Sequence, residues 1–248
     1  MNAKLAYNLF TQGQMPQLLK EVMPRPLRSG SLVRAVAMLF RHVLLDYGWL
    51  KSLRLRRCVD GNGRPIPWFT YPAIDYLNQV DLSDMEIFEW GSGHSTAYWS
   101  ERAKSVISIE TDQVWAQDVR RLTGNNCNII LSSRDMEEYV GHIFRFSVFD
   151  IIVIDGIGEA RRACAMAAAS KIRPGGFIIL DNSDLSPESA EILRGHNYIE
   201  IDFVGFSPLD VHSHTTSLFL SRDFNPKPRG AIQPTRSVAQ PSDIWPGQ

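Results

Sequence analysis

The chain has 248 residues, of which 44% are hydrophobic, 10% aromatic and 21% charged, with 17 glycines and 14 prolines. These proportions exclude collagen-like, coiled-coil and wholly disordered classes, and the length suits one α/β domain with appendages. The formal net charge is −1, but residues 1–60 carry ten Lys/Arg against three Asp/Glu (+7), and the remainder sixteen against twenty-four (−8), which argues against a uniformly basic nucleic-acid binder.

In chain order, the opening Met-Asn-Ala-Lys lacks the apolar core of a signal peptide. Apolar runs such as Ala35–Phe40 reach only about six residues, far short of a membrane span. Three widely spaced cysteines, Cys58, Cys127 and Cys164, suit neither a disulfide framework nor a zinc site, so the sequence predicts a cytoplasmic protein. Ser31–Tyr47 reads as a helix with Ser31 as its candidate cap. The basic N-terminal segment either docks on the acidic body or makes a peripheral membrane contact through Arg54, Arg56 and Arg57. Gly61-Asn62-Gly63 predicts a turn, Ile66–Tyr71 an aromatic loop, and Pro72–Val80 a short helix.

From Met85 onward, strand-like runs fall at Glu86–Trp90, Val106–Glu110, Asn128–Ser132, Asp150–Asp155, Phe177–Asp181, Ile199–Gly205 and Thr216–Leu220. Helical stretches separate the first five: Ser95–Lys104, Gln113–Leu122, Met136–His142 and Glu159–Lys171. Pro187 opens a further helix to Arg194. Alternation of this kind predicts a doubly wound, mostly parallel seven-stranded α/β sheet. The last connection, Phe206–Thr215, has no helical period, so the final strand is expected to run in reverse. The expected domains are an N-terminal helical cap (1–84), a core (85–222) and a Pro-rich, disordered tail (223–248) with five prolines after Phe224.

The most informative stretch is Glu89-Trp90-Gly91-Ser92-Gly93-His94-Ser95, where an apolar strand ends in an acid, then Gly-x-Gly, then a helix. Glycines there let a backbone approach a ligand closely at the carboxyl end of a parallel sheet. Thr96 stands where a dinucleotide fingerprint wants its third glycine, which disfavours a nicotinamide cofactor. Glu110 ends the next strand nineteen residues after Gly91, where an acid accepts hydrogen bonds from a ribose diol.

With these motifs the chain resembles the class I S-adenosylmethionine-dependent methyltransferases. Glu89-x-Gly91-x-Gly93 resembles their first motif, Phe149–Asp155 their fourth-strand motif, and Ile172-Arg173-Pro174-Gly175-Gly176 the turn before their fifth strand. Pro65–Pro72 resembles a stretch in a less characterised branch of that family. The resemblance implies that Glu89, Gly91, Gly93 and Ser95 hold the methionine end of S-adenosylmethionine, and Glu110 the ribose; His94, which opens the helix beside this motif, is expected to contact the cofactor too. It also makes Asp135 the candidate for the adenine amino group, with a helix cap as its alternative. Asp155 is then placed beside the sulfonium.

Asp155, Asp181 and Asn182 offer three hard oxygen ligands for Mg²⁺ or Ca²⁺. Metal-dependent catechol-type enzymes carry a lysine three residues after the first aspartate; Gly158 stands there, which tips the expectation toward a metal-free route. Proton removal then falls to Asp155 or His214. The sequence reading is a methyltransferase moving a methyl group to a small-molecule acceptor, at oxygen. Its rivals are an NAD-dependent oxidoreductase and a non-catalytic binding module. No pattern speaks to oligomeric state.

Overall fold

A computed structural model of the chain describes residues 30–236 and residue 238. These fall into two compact units, one running up to residue 64 and taking in residues 236 and 238, the other spanning Pro65–Thr235.

In the first unit, α1 (Gly30–Arg41) buries Val33 and Ala37, one turn apart, and exposes Leu39 and Phe40. It passes into a π-helical turn, His42–Asp46, so the single helix expected to Tyr47 is broken and Ser31 lies inside it. His42 Nδ1 lies 2.7 Å from Asp46 Oδ2 across that turn. Gly48 then takes φ +84°, and a side chain there would collide with the Asp60 backbone, so only glycine starts α2 (Trp49–Leu55). The buried Ser52 ties α2 to the following segment, donating to Val59 O at 2.8 Å and accepting from Val59 N at 3.0 Å. Arg54, Arg56 and Arg57 are exposed. Among the described residues no helix is long and apolar enough to cross a membrane.

The second unit begins with the 65–70 loop and α3 (Tyr71–Leu77), followed by β1 (Glu86–Trp90), α4 (His94–Ser100), β2 (Ser105–Glu110), α5 (Gln113–Arg120) and β3 (Cys127–Leu131). After these come α6 (Met136–Gly141), β4 (Phe149–Ile154), α7 (Arg161–Lys171), β5 (Ile172–Asp181), α8 (Pro187–Arg194), β6 (Ile199–Gly205) and β7 (His214–Leu220). The sheet order is β3-β2-β1-β4-β5-β7-β6, with β7 antiparallel to both its neighbours. This is the expected mostly parallel sheet with a reversed final strand. β1 is flanked by β2 on one side and β4 on the other, so the chain switches direction at β1 and opens a crevice beyond its carboxyl end.

Central strands buried on both faces read as continuous apolar runs. Phe88, Trp90, Ile152, Ile154, Ile178 and Leu180 point to one face, where the small residues Ala165 and Ala168 of α7 let that helix pack close. β5 carries the Pro174-Gly175-Gly176 segment as a register shift against β4 and resumes pairing at Phe177.

Two expected boundaries move. Residues 65–84 belong to the large unit instead of an N-terminal cap: Thr70 N donates to Thr216 Oγ1 (3.0 Å), Thr70 Oγ1 to Phe203 O (2.9 Å) and Tyr71 N to Phe206 O (2.8 Å). Residues 224–235, expected as disordered tail, are strapped along the segment before β1. Asp81 N donates to Lys227 O and Arg229 N to Gln79 O, both at 2.9 Å, and Lys227 Nζ meets Asp84 at 2.7 Å. The Phe224 ring sits 5.2 Å from Phe177. Backbone pairing holds this stretch, which composition alone does not register. The rest of the expected tail, apart from Arg236 and Val238, lies outside the described residues.

Candidate functional site

Beyond β1 the chain turns at Gly91, whose φ of +97° and N–H bond to Ile109 O (2.9 Å) fold the loop back over β2. A Cβ at Gly91 would lie 2.9 Å from Asp155 O, so this position needs glycine for both conformation and space. Gly93 is extended and its missing Cβ faces only Trp115, at 3.7 Å. The sequence reading passed over Trp115. Asp112 caps α5 by accepting from Val114 N and Trp115 N, and this sets the indole to donate to Ser92 O at 2.7 Å. His94 and Ser95, both buried, start α4, and the His94 ring lies 6.4 Å from Trp115.

Glu89 is fully buried and occupied by its own chain. Its Oε2 accepts from Thr96 Oγ1 at 2.5 Å and lies 3.2 Å from Ser108 Oγ, while Oε1 accepts from Trp99 Nε1 at 3.2 Å. Ser108 sends its single proton the shorter way, to Gly91 O at 2.5 Å. Burial pushes the Glu89 carboxyl up to about 7 against the hydrogen bonds from Ser95, Thr96 and Trp99. A protonated Glu89 also gives Ser108 Oγ a donor. Glu89 therefore shapes the glycine loop from beneath, with both carboxylate oxygens bonded within its own chain.

Glu110 is placed differently. Its Oε1 accepts from Thr111 N (2.7 Å) and Asp112 N (2.9 Å), and Oε2 from Ser92 Oγ (2.6 Å). One carboxylate thus joins the end of β2 to the middle of the glycine loop. Beside it, at the end of β3, Ser132 N donates to Glu110 O at 2.8 Å, and the buried Ser132 Oγ has no hydrogen-bond partner among the described residues. Asp135 is exposed and caps α6, accepting from Glu138 N at 2.9 Å; it lines a shallow groove with Glu137, Glu138, Gly141 and Arg145. Its cap reading is the one observed.

The second cluster gathers at the ends of β4, β5 and β7 around a residue that the sequence reading missed, Arg161. This is the first residue of α7 and is buried. Its Nη1 donates to Asp181 O, and its Nη2 lies 3.5 Å from Asp155 Oδ1 and 3.3 Å from Asn182 Oδ1. Asp155 and Asn182 through their side chains, and Asp181 through its backbone oxygen, thus meet a guanidinium; these are the three candidate metal ligands. Asp181 is buried and accepts from Thr216 Oγ1 at 2.6 Å; burial and the neighbouring Asp155 raise its pKa well above the usual carboxylate range. Burial raises Asp155 as well, and Arg161 opposes that rise.

A guanidinium can only donate, so Asn182 presents its oxygen to Arg161 and its amide nitrogen to His214 Nδ1, at 2.9 Å. A neutral His214 then carries its proton on Nε2, 3.6 Å from Asp210 Oδ2. Burial lowers the His214 pKa, which keeps the ring neutral. In this arrangement His214 Nδ1 accepts from Asn182 and Nε2 carries the ring proton, so His214 orients Asn182. Asp210 also accepts from Trp68 Nε1 at 2.8 Å, which joins the aromatic loop to the cluster.

Against this geometry, no protein-family model matches the chain, and no curated protein matches it. Solved structures do. The cofactor-bound Rv0187 from MTB aligns with a TM-score of 0.51 over 82% of this chain and 100% of its own, at 15% identity. The O-methyltransferase TomG from Streptomyces achromogenes, in complex with SAM, aligns at 0.49 over 75% and 96%, with 15% identity. Precorrin-6y C5,15-methyltransferase from Geobacter metallireducens aligns at 0.49 over 60% and 88%, with 13% identity. The fold is that of the class I S-adenosylmethionine-dependent methyltransferases. At such identities the likeness fixes the fold, and the chemistry has to be argued from the site.

Proposed function

We propose that the protein is an S-adenosylmethionine-dependent methyltransferase acting on a small molecule at oxygen. The observation that carries this reading is the cradle of Gly91, Ser92, Gly93 and Glu110 at the switch point, with the orphaned Ser132 hydroxyl beside it. These groups fit the cofactor. Gly91 lets the backbone turn tightly, Glu110 has a carboxylate placed for a ribose diol, and Ser132 is a buried hydroxyl that lacks a partner. When bound, the cofactor supplies an electrophilic methyl group on a sulfonium. The chain's own residues supply position and proton removal. Asp155, at the end of β4 and against Gly91, stands between the cradle and the Arg161 cluster. Burial raises its pKa to about 6, which makes the ionised carboxylate a stronger base for the proton of an acceptor hydroxyl.

Calorimetry with S-adenosylmethionine, its demethylated product and NAD tests this. The expected result is micromolar binding of the first two and none of NAD. Glu110→Ala should weaken binding by about 1.5–3 kcal/mol, because charge-assisted hydrogen bonds are lost. Binding of NAD alone would favour the oxidoreductase. Cofactor binding with no methyl transfer across a panel of hydroxyl acceptors would favour a non-catalytic module.

A further inference from the structure

The cofactor cradle makes no use of Arg161, yet this buried guanidinium is held from several sides by Asp155, Asp181 and Asn182. We propose that Arg161 is the fixed cation that holds the acceptor oxygen as an oxyanion beside Asp155, so that the enzyme methylates apolar molecules bearing an acidic hydroxyl and activates them without a divalent ion. The proposal rests on the methyl-transfer reading above.

Three observations carry it. The two contacts of Arg161 Nη2, at 3.3 and 3.5 Å, are longer than ordinary charged hydrogen bonds, so an incoming oxyanion can displace them at small loss. Its orientation is imposed at a distance: Asn182 takes φ +47° and bridges to His214, and Asp210 pins Trp68 on the far side. Charge bookkeeping supplies the third. Arg161 Nη2 lies 3.5 Å from Asp155 Oδ1, so the ionised Asp155 is the counter-charge of Arg161. When the acceptor hydroxyl gives its proton to Asp155, the electron pair of the broken O–H bond stays on oxygen. Asp155 becomes neutral, and the guanidinium requires a new anion, because a buried unpaired charge is costly. The acceptor oxyanion provides it, and total charge is unchanged. Exposed apolar side chains, Trp68, Leu185, Phe206 and Val211, lie on the three segments that hydrogen-bond to the cluster through Asp210 and Asp184, and they offer apolar surface for an aromatic body.

The test uses the full chain loaded with S-adenosylhomocysteine, in EDTA, with 4-nitrocatechol as the probe, because ionisation of its hydroxyl is visible in its absorption spectrum. The expected result is that the bound probe ionises about one to three pH units below the free one, as a fixed neighbouring cation dictates. Arg161→Met should abolish the shift, Arg161→Lys should retain part of it, and cofactor affinity should be unchanged in both. Because Arg161→Met strands the Asp155 charge, the Asp155→Asn/Arg161→Met double variant is measured alongside it and should also show no shift. A shift that survives Arg161→Met, a shift that appears only with added Mg²⁺, or a probe that does not bind would overturn the proposal. Failure of the wild type to bind the cofactor would instead overturn the methyl-transfer reading.

Discussion

The cradle beyond β1 and β2 and the cluster beyond β4, β5 and β7 are built on opposite plans. The first is local in sequence: Glu89, Gly91, Ser92, Gly93, Ser95 and Thr96 sit within one turn, and Glu110, Asp112 and Trp115 within the next. Its geometry is mostly backbone conformation, fixed by a positive φ and by N–H groups that meet a carboxylate. The second is assembled from side chains far apart in sequence, such as Trp68 and Asp210, which are separated by 142 positions. A substitution that alters the backbone of the first half, as at Gly91, should therefore disturb fold and binding together, whereas one in the second should alter chemistry and leave the fold standing.

The largest expected effect tests that contrast inside the glycine loop itself. Gly91→Ala forces a side chain into positive φ and to 2.9 Å from Asp155 O, and should cost about 3 kcal/mol of stability and nearly all cofactor binding. Gly93→Ala is extended, with its nearest neighbour at 3.7 Å, so melting should move little while affinity falls. Thermal unfolding and calorimetry on the pair decide this; equal melting temperatures for the two variants would show that the turn is not what fixes the loop.

Next in size is the buried Glu89. Its folded pKa of about 7 lies above the unfolded value of 4.5, so the unfolded chain gives up its proton first. Stability is fully present below pH 4.5 and is lost as pH rises through about 7, by about 2 kcal/mol between pH 5 and pH 7. Glu89→Gln should flatten most of that slope. A residual slope of the same sign is expected from Asp155 and Asp181, whose pKa values are also raised. His142 and His214, both lowered by burial, act in the opposite sense as pH falls below 6.5. An unchanged slope in Glu89→Gln would move the buried charge elsewhere.

The same contrast decides what could be read in the sequence. Glu110 and the Gly-x-Gly turn were legible because contiguous residues encode contiguous backbone, and the strands were legible because burial on both faces writes apolar runs. The role of Glu89 was not, because an acid at a strand end looks the same whether it faces a ligand or is spent on Thr96, Trp99 and Ser108. Arg161 was passed over for a similar reason: an arginine opening an alanine-rich helix reads as a solvated charge until the fold brings Asp155, Asp181 and Asn182 around it. The strap at 224–235 was missed because backbone pairing with Gln79–Asp81 has no side-chain signature.

In the second half, Asn182→Gly should separate chemistry from fold. Glycine accepts the positive φ of this position, so the loss is confined to the links to Arg161 and His214, about 1 kcal/mol of stability. Cofactor affinity should be unchanged and methyl transfer to an identified acceptor should fall about tenfold, the equivalent of 1.4 kcal/mol. A drop in cofactor affinity of the same size would show that the two halves are not independent.

The smallest effect has the most telling sign. Ser132 Oγ is buried beside Glu110 and has no partner among the described residues, so in the free protein it bears a desolvation cost without a compensating bond. Ser132→Ala removes that cost and should leave stability unchanged or raise it by up to about 1 kcal/mol. If the hydroxyl is completed by the bound cofactor, the same variant should lose affinity by about 0.5–1.5 kcal/mol, the net worth of one neutral hydrogen bond. A structural role would make both quantities fall together, and no role would leave both unmoved. Only a residue held open for a ligand gives stability and affinity opposite signs, so unfolding and calorimetry on this one variant show whether the first half of the site extends to the end of β3.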